Sequence, residues 1–194
     1  MPNFKFKPTL TSPDRTVQLR PFTADDADRM LDILAQPLVS LYTGSSDHTP
    51  APAETFPADA ADTARIRTWY ATRSDQNDRL DLAIVQNGTL IGEVVLNLYD
   101  AENNSCNLRI LIADDATEHG AGQATFALIL PYAFLALGLN ALTLDAFEFN
   151  QRAIHVYHKV GFKDAGTIPD DLELDGKSVT SIKMALTAAD FLQS

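Results

Sequence analysis

Residues 150–162 read Asn150-Gln151-Arg152-Ala153-Ile154-His155-Val156-Tyr157-His158-Lys159-Val160-Gly161-Phe162. Asn150 has a side-chain oxygen suited to capping the first turn of a helix, and Gly161 suits the left-handed backbone that ends one. The stretch therefore predicts a helix over 151–160. Asn150 and Tyr157 lie about two helical turns apart, so they share a face of it. Apolar residues before it predict a strand over 142–149, and those after it predict strands over 163–168 and 177–186, joined through Asp175-Gly176. His155 and His158 are three apart, but no acidic or cysteine partner stands out nearby. One solvated and one packed imidazole is the simpler reading than a metal pair.

Upstream, a strand over 106–113 leads through the polar residues 114–119 into Gly120-Ala121-Gly122. An apolar helix over 123–137 follows, ended by Gly138. The first turn of a helix has unpaired N–H groups, and its dipole favours an anion there. Glycines let a ligand approach the backbone closely, so the segment suits a pyrophosphate. Gln123-Ala124 follow Gly122, so this is not a P-loop, and Thr125 stands where a dinucleotide fingerprint would have its third glycine. Pro131 cannot donate to the carbonyl of Ala127, which predicts a kink or a helix in two pieces.

The first half reads differently. Residues 17–20 alternate as a short strand ended by Pro21. Thr23, with Asp25 and Asp26 behind it, opens a helix whose apolar face is Met30, Leu31 and Leu34, ending before Pro37. Residues 43–58 are rich in Pro, Ser, Thr and Ala and form a long loop, a ligand lid or simply mobile. Residues 60–73 return to helical spacing, with Ile66, Trp69 and Tyr70 on adjoining faces. Trp69 and Tyr70 are read as core in preference to an acceptor cleft. Strands over 80–85 and 90–99 flank the hairpin turn Asn87-Gly88. Residues 82–113 thus form an antiparallel meander.

The chain has 194 residues, which implies one domain over 1–194. Its net charge of −11 argues against a nucleic-acid partner. The single cysteine, Cys106, excludes an internal disulfide and a cysteine-rich zinc site, and fits a reducing, cytoplasmic setting. It reads as a buried strand residue without a base beside it. No signal peptide or membrane span is legible. The fold class expected is α+β: a single mixed, mostly antiparallel central sheet flanked by helices, with strand–helix–strand crossovers only in the second half.

Residues 90–162 resemble the GNAT superfamily of acetyl-CoA-dependent N-acetyltransferases. The resemblance rests on Asn150, then Ala153, then Tyr157-x-Lys159-x-Gly161-Phe162, following the glycine-bearing helix start. Leu19-Arg20-Pro21-Phe22-Thr23, Ile91-Gly92, and Tyr132-Ala133-Phe134 through Gly138-Leu139-Asn140 extend it over most of the chain. The opening and the Tyr-Ala-Phe segment are most similar to the branch that acetylates ribosomal-protein N-termini. The resemblance implies the acyl-CoA N-acyltransferase fold and transfer of acetyl from acetyl-CoA directly to a primary amine, of a small molecule or a protein N-terminus. Backbone groups of Leu111, Ile112 and Ala113 would meet the pantetheine. Glu118, His119, Gly120, Ala121, Gly122, Gln123 and Ala124 would hold the pyrophosphate, and Asn150 would orient the pantetheine. Tyr157 would protonate the leaving thiolate. The chain departs from the family at Thr117, where Arg or Gln is usual, and in setting His119 beside Glu118. Weaker CoA binding is the expected consequence.

An attacking amine must lose a proton, and the developing oxyanion needs a donor, here a backbone N–H of the strand before the glycine loop. Asp145 and Glu93 are the candidate bases, with Glu148 behind them. Asp145 falls opposite Leu144 in strand alternation, and a carboxylate in an apolar strand is costly to bury unless paired or used. His48, in the long loop, is a candidate acceptor contact. No metal is expected. Partners expected are acetyl-CoA and an amine, with no nucleic acid and no membrane, and a last strand able to pair across a homodimer. Two other readings stand beside the enzyme: a non-catalytic module of the same fold that senses acyl-CoA or an amine, and an acidic protein-interaction domain.

Overall fold

A computed structural model describes residues 2–116 and 120–193. Its strands are β1 (Leu10–Thr11), β2 (Val17–Pro21), β3 (Leu80–Gln86), β4 (Thr89–Asp100), β5 (Ser105–Ile112), β6 (Ala141–Phe147), β7 (Lys163–Leu174) and β8 (Lys177–Thr187). Its helices are α1 (Ala27–Leu34), α2 (Pro37–Tyr42), α3 (Ala60–Ala71), α4 (Ala121–Pro131), α5 (Gln151–Lys159) and α6 (Ala188–Phe191). The strands form one mixed sheet in the order β1-β2-β3-β4-β5-β6-β8-β7. Among the described residues only β5 and β6 run parallel. The helix α4 between them is the crossover that permits it.

Alternation sorts the sheet into two faces. Val17, Leu19, Leu82, Val94, Leu108 and Leu144 are buried on one. There Phe126 of α4 meets Tyr157 of α5 edge-on, with ring centroids 5.7 Å apart. The pairing register places Asp81, Glu93, Arg109, Asp145 and Lys183 on the other face. The second face is packed as well, with Ala83, Val95 and Tyr70 buried there, and the charged side chains are set among them.

Local features follow the sequence closely. Asn87 and Gly88 take φ of 50° and 83° between β3 and β4, the left-handed pair that a two-residue hairpin requires. The Thr23 capping box opens the first helical turn. Among the described residues no helix is long and apolar enough to cross a membrane.

Other features correct the reading. Pro131 ends α4, and residues 132–136 continue as a wider turn in which the Leu137 N–H donates to the Tyr132 carbonyl at 3.0 Å. Of the alternatives at Pro131, the two-piece helix is the one adopted. Pro37 starts α2 instead of merely ending α1, because a first helical position has no need of its N–H. In α1 the buried residues are Ala27, Met30 and Ile33, while Leu31 and Leu34 are only half-buried. β7 runs on through Pro169 to Leu174, which an edge strand tolerates at an irregularity such as that between Ile168 and Leu172. The last strand, β8, lies between β6 and β7, so both its edges are taken. Trp69 is 44% exposed, and Arg73 packs over its ring at 3.3 Å, so only Tyr70 of that pair joins the core.

Candidate active site

β5 and β6 pair only where Ser105–Asn107 meets Ala141–Thr143. Beyond that point the strands part, leaving a cleft of about 800 Å³. A glycine helps to hold β5 on its other neighbour. A Cβ at Gly92 of β4 would lie 2.0 Å from the Leu111 carbonyl oxygen, so no other residue fits. The Ala113 N–H donates to the Ile91 carbonyl at 2.7 Å. In an antiparallel ladder bonded residues alternate, so the backbone groups of Leu111 and Ala113 are turned to β4, and those of Leu108, Ile110 and Ile112 face the gap. Of the three residues expected to meet the pantetheine, only Ile112 presents backbone groups there, and Ile110 joins it.

The start of α4 closes one end of the cleft. Gly120 has φ of +73°, and its carbonyl accepts the first helical bond, from the Ala124 N–H at 3.1 Å. The N–H groups of Ala121, Gly122 and Gln123 therefore precede the hydrogen-bonded turns. Gly120, Gly122 and Gln123 line the cleft. A Cβ at Gly122 would meet only Ile112 Cδ1, at 3.6 Å, an ordinary contact. Glu118, His119 and the departure at Thr117 lie outside the described residues.

The start of α5 forms another part of the wall. Asn150 Oδ1 accepts the Ala153 N–H at 3.2 Å, the expected cap. Its amide NH₂ group has no hydrogen-bond partner among the described residues, and Asn150 lines the cleft. Tyr157 lines it too, 9% exposed and packed in a triad of rings with Phe126 and Phe162. Burial, and then the charge of Asp145, push its hydroxyl up to about 12. His155 is exposed at the cleft, whereas His158 binds the Phe162 carbonyl at 3.2 Å and approaches Asp164 at 3.3 Å.

Asp145 lies on the cleft wall, two residues past the last β6 residue paired with β5. Burial and then Asp171 raise its pKa, while Arg109 and Lys183 pull it down. Glu93 faces the same side from β4, two strands away across β5, where it is largely buried and its carboxyl hydrogen-bonds with Tyr70 of α3. Burial and the nearby Asp81 push it up to about 7, against a hydrogen bond from Tyr70. Asp81 itself is 1% exposed and is held by both arms of Arg79, at 2.7 and 2.8 Å.

The long loop is anchored to the end of the last hairpin. Asp175 accepts from the Thr49 N–H at 3.1 Å and from its hydroxyl at 2.6 Å, and donates its own N–H to the Asp47 carbonyl at 2.9 Å. His48 is engaged by Asp47 and Glu54 at 2.8 and 2.9 Å. Cys106 is buried, and burial pushes its thiol up to about 11. Sequence reasoning passed over Arg109 of β5, although a charged residue between Leu108 and Ile110 carries the same signal that singled out Asp145. It also passed over Tyr42, whose ring meets Phe149 at 6.1 Å and so ties α2 to the far side of the cleft.

A model of the acetyltransferase (GNAT) domain matches residues 16–163. Spermidine N(1)-acetyltransferase of Escherichia coli (strain K12) is 25% identical over 118 residues, 61% of this chain and 63% of that protein. YdaF of Bacillus subtilis (strain 168), named as a proposed ribosomal N-acetyltransferase, is 28% identical over 120 residues, 60% of this chain and 65% of that one. The match thus spans a little under two thirds of the length of these curated relatives. Among solved structures, spermidine N-acetyltransferase from Vibrio cholerae in complex with CoA and spermine superposes with a TM-score of 0.73 at 19% identity, covering 91% of this chain and 98% of that one. The acetyltransferase (GNAT family) from Bacillus anthracis gives 0.74 at 13% identity, covering 94% and 99%. At these identities the superpositions establish a shared fold.

Proposed function

Given that the chain belongs to the GNAT acetyltransferase domain family, we propose that it transfers acetyl from acetyl-CoA directly to a primary amine. One observation carries this reading: the β5–β6 cleft ends at the open first turn of α4 and has Tyr157 in its wall. A long, thin ligand with a phosphate end fits it. The N–H groups of Ala121, Gly122 and Gln123 would hold the pyrophosphate. Backbone groups of Ile110 and Ile112, with the Asn150 amide, would hold the pantetheine. The solved relative bound to CoA and spermine supports CoA as the donor and an amine as the acceptor.

The roles then divide by face. Asp145, open to the cleft, takes the amine proton. Its raised pKa makes it a better base than an ordinary aspartate. The Ile110 N–H donates to the oxyanion as the amine attacks. Tyr157 remains protonated at neutral pH and donates to the departing sulfur. Complete transfer from a hydroxyl near 12 to a thiol of about 8.5 is uphill by roughly 5 kcal/mol. The contribution of Tyr157 is therefore a hydrogen bond as the C–S bond breaks. Glu93, on β4 next to β5, sets the charge beside Arg109. The setting proposed is cytoplasmic, and a homodimer remains compatible with the free edges at β1 and β7.

Isothermal titration with acetyl-CoA and with free CoA tests the donor site, and an amine panel read by free thiol tests transfer. Saturable binding at about one site per chain, with Tyr157-dependent thiol release, is expected. Binding without release would favour the sensing module, and no binding at millimolar ligand would overturn the reading.

A further inference from the structure

Arg109 and Asp145 occupy matching places on the two walls of the cleft. Each lies two residues past the last paired residues, Asn107 and Thr143, and each lies on the same face of the sheet. In a continuous sheet the strands would run about 4.8 Å apart, and two such side chains would meet. Here both line the cleft, and Arg109 counts among the charges acting on Asp145, yet no ion pair joins them within 4.0 Å. The Arg109 guanidinium has no hydrogen-bond or ion-pair partner among the described residues, and it is exposed to the cleft. By contrast Arg20 of β2 and Arg79, just before β3, are each engaged by a carboxylate, Asp26 and Asp81.

The charges around this point are mixed. Asp145 and the nearby Asp171 are set against Arg109 and Lys183, the latter opposite Asp145 across the ladder to β8. A polycationic acceptor would meet two cations beside the reacting nitrogen. A ligand with both charges completes two half-made ion pairs instead: its ammonium lies on Asp145, and a carboxylate lies on the planar fork of Arg109. Asp145 is also the proposed proton acceptor, so the nitrogen bound there is the one acetylated.

Building on the acetyl-transfer reading, we propose that Arg109 is a specificity-determining residue that binds a carboxylate of the acceptor, and that the acceptors are amines of the α-amino-acid type. The bound ammonium gives one proton to Asp145, and the freed amine nitrogen bonds to the acetyl carbon. The C–S bond breaks with the sulfur hydrogen-bonded by Tyr157, and the second proton on nitrogen passes to the departing thiolate, leaving the amide and the CoA thiol. The carboxylate takes no part in the bond changes.

The test is a panel of L-amino acids, their α-amides and linear diamines, assayed by thiol release with wild type, Arg109→Gln and Arg109→Lys. Wild type should favour acids over their amides by about 10²-fold in kcat/KM, on the scale of paired charge-assisted hydrogen bonds. Arg109→Gln should collapse that ratio, and Arg109→Lys should restore part of it. The same compounds are titrated into the protein saturated with free CoA, which needs no turnover. Carboxylate-dependent binding that Arg109→Gln abolishes, without thiol release, would sustain this site while overturning acetyl transfer. Preference for diamines, or equal loss for acids and amides in Arg109→Gln, would overturn the proposal. So would the absence of amino-acid binding to the CoA-loaded protein.

Discussion

Tyr157 and Glu93 are both displaced from their ordinary acidity by burial, with opposite consequences. Tyr157 gains a hydroxyl that stays protonated across the working range, held by ring contacts with Phe126 and Phe162. Tyr157→Phe keeps those contacts and removes only the donor. We expect kcat to fall about 10²-fold or more with acetyl-CoA affinity unchanged, checked by steady-state kinetics and titration. Glu93 carries a stability cost. Its folded pKa, about 7, stands above the ordinary glutamate value of 4.5, so between those values the folded chain holds more protons than the unfolded one. Stability from this group is full below pH 4.5 and is lost as pH rises through about 7, by up to roughly 3 kcal/mol. Glu93→Gln should flatten the fall of denaturation midpoint over that window. An unchanged slope would show that Glu93 ionises freely. The identities of both residues were legible in the sequence. The enclosure that shifts them was not, because Tyr70 reaches Glu93 from a helix that ends before β3, a whole strand upstream of β4, and Phe126 reaches Tyr157 from a different helix.

At the level of elements, the two glycines that open α4 do different work. Gly120 needs its positive φ, whereas Gly122 has room for a methyl group against the protein itself. Gly122→Ala should therefore fold with a near-normal melting temperature and bind acetyl-CoA and free CoA more weakly, by about tenfold or more, if the helix start holds the pyrophosphate. Unchanged affinity would move the phosphate elsewhere. Gly92 is the opposite case. A Cβ there would strike backbone 2.0 Å away, so Gly92→Ala must push β4 and β5 apart and should lower stability by several kcal/mol in denaturant titration. The hairpins, the Thr23 capping box and the Asn150 cap depend on neighbours in the chain, and the sequence reports them faithfully. Elsewhere tertiary context decides. Pro37 and Pro169 are both stop signals in isolation, yet one begins a helix and the other rides on a sheet edge.

For the molecule as a whole, the net charge of −11 says little about the cleft, where cations and carboxylates are interleaved. The loop over 43–58 illustrates the difference between composition and placement. Its residues suggest a lid or a mobile segment, and the structure adds a tie through Thr49 to Asp175 at the turn between β7 and β8. Asp175→Ala should raise amide hydrogen exchange in that loop while leaving exchange in β3 and β4 unaltered. No difference in the loop would mean that its other contacts suffice. Periodicity, turn chemistry and helix caps are properties of short stretches, and they were sufficient to predict an α+β sheet; the family and the cofactor came from the resemblance that residues 90–162 carry. The pairing of β5 with β6 over only three residues, the turning of Leu111 and Ala113 toward β4, and the separation of Arg109 from Asp145 are properties of strands remote in sequence. Periodicity says which side of a strand a residue occupies. It does not say where two strands part company, because that depends on how a whole sheet twists and on what a glycine on a third strand allows.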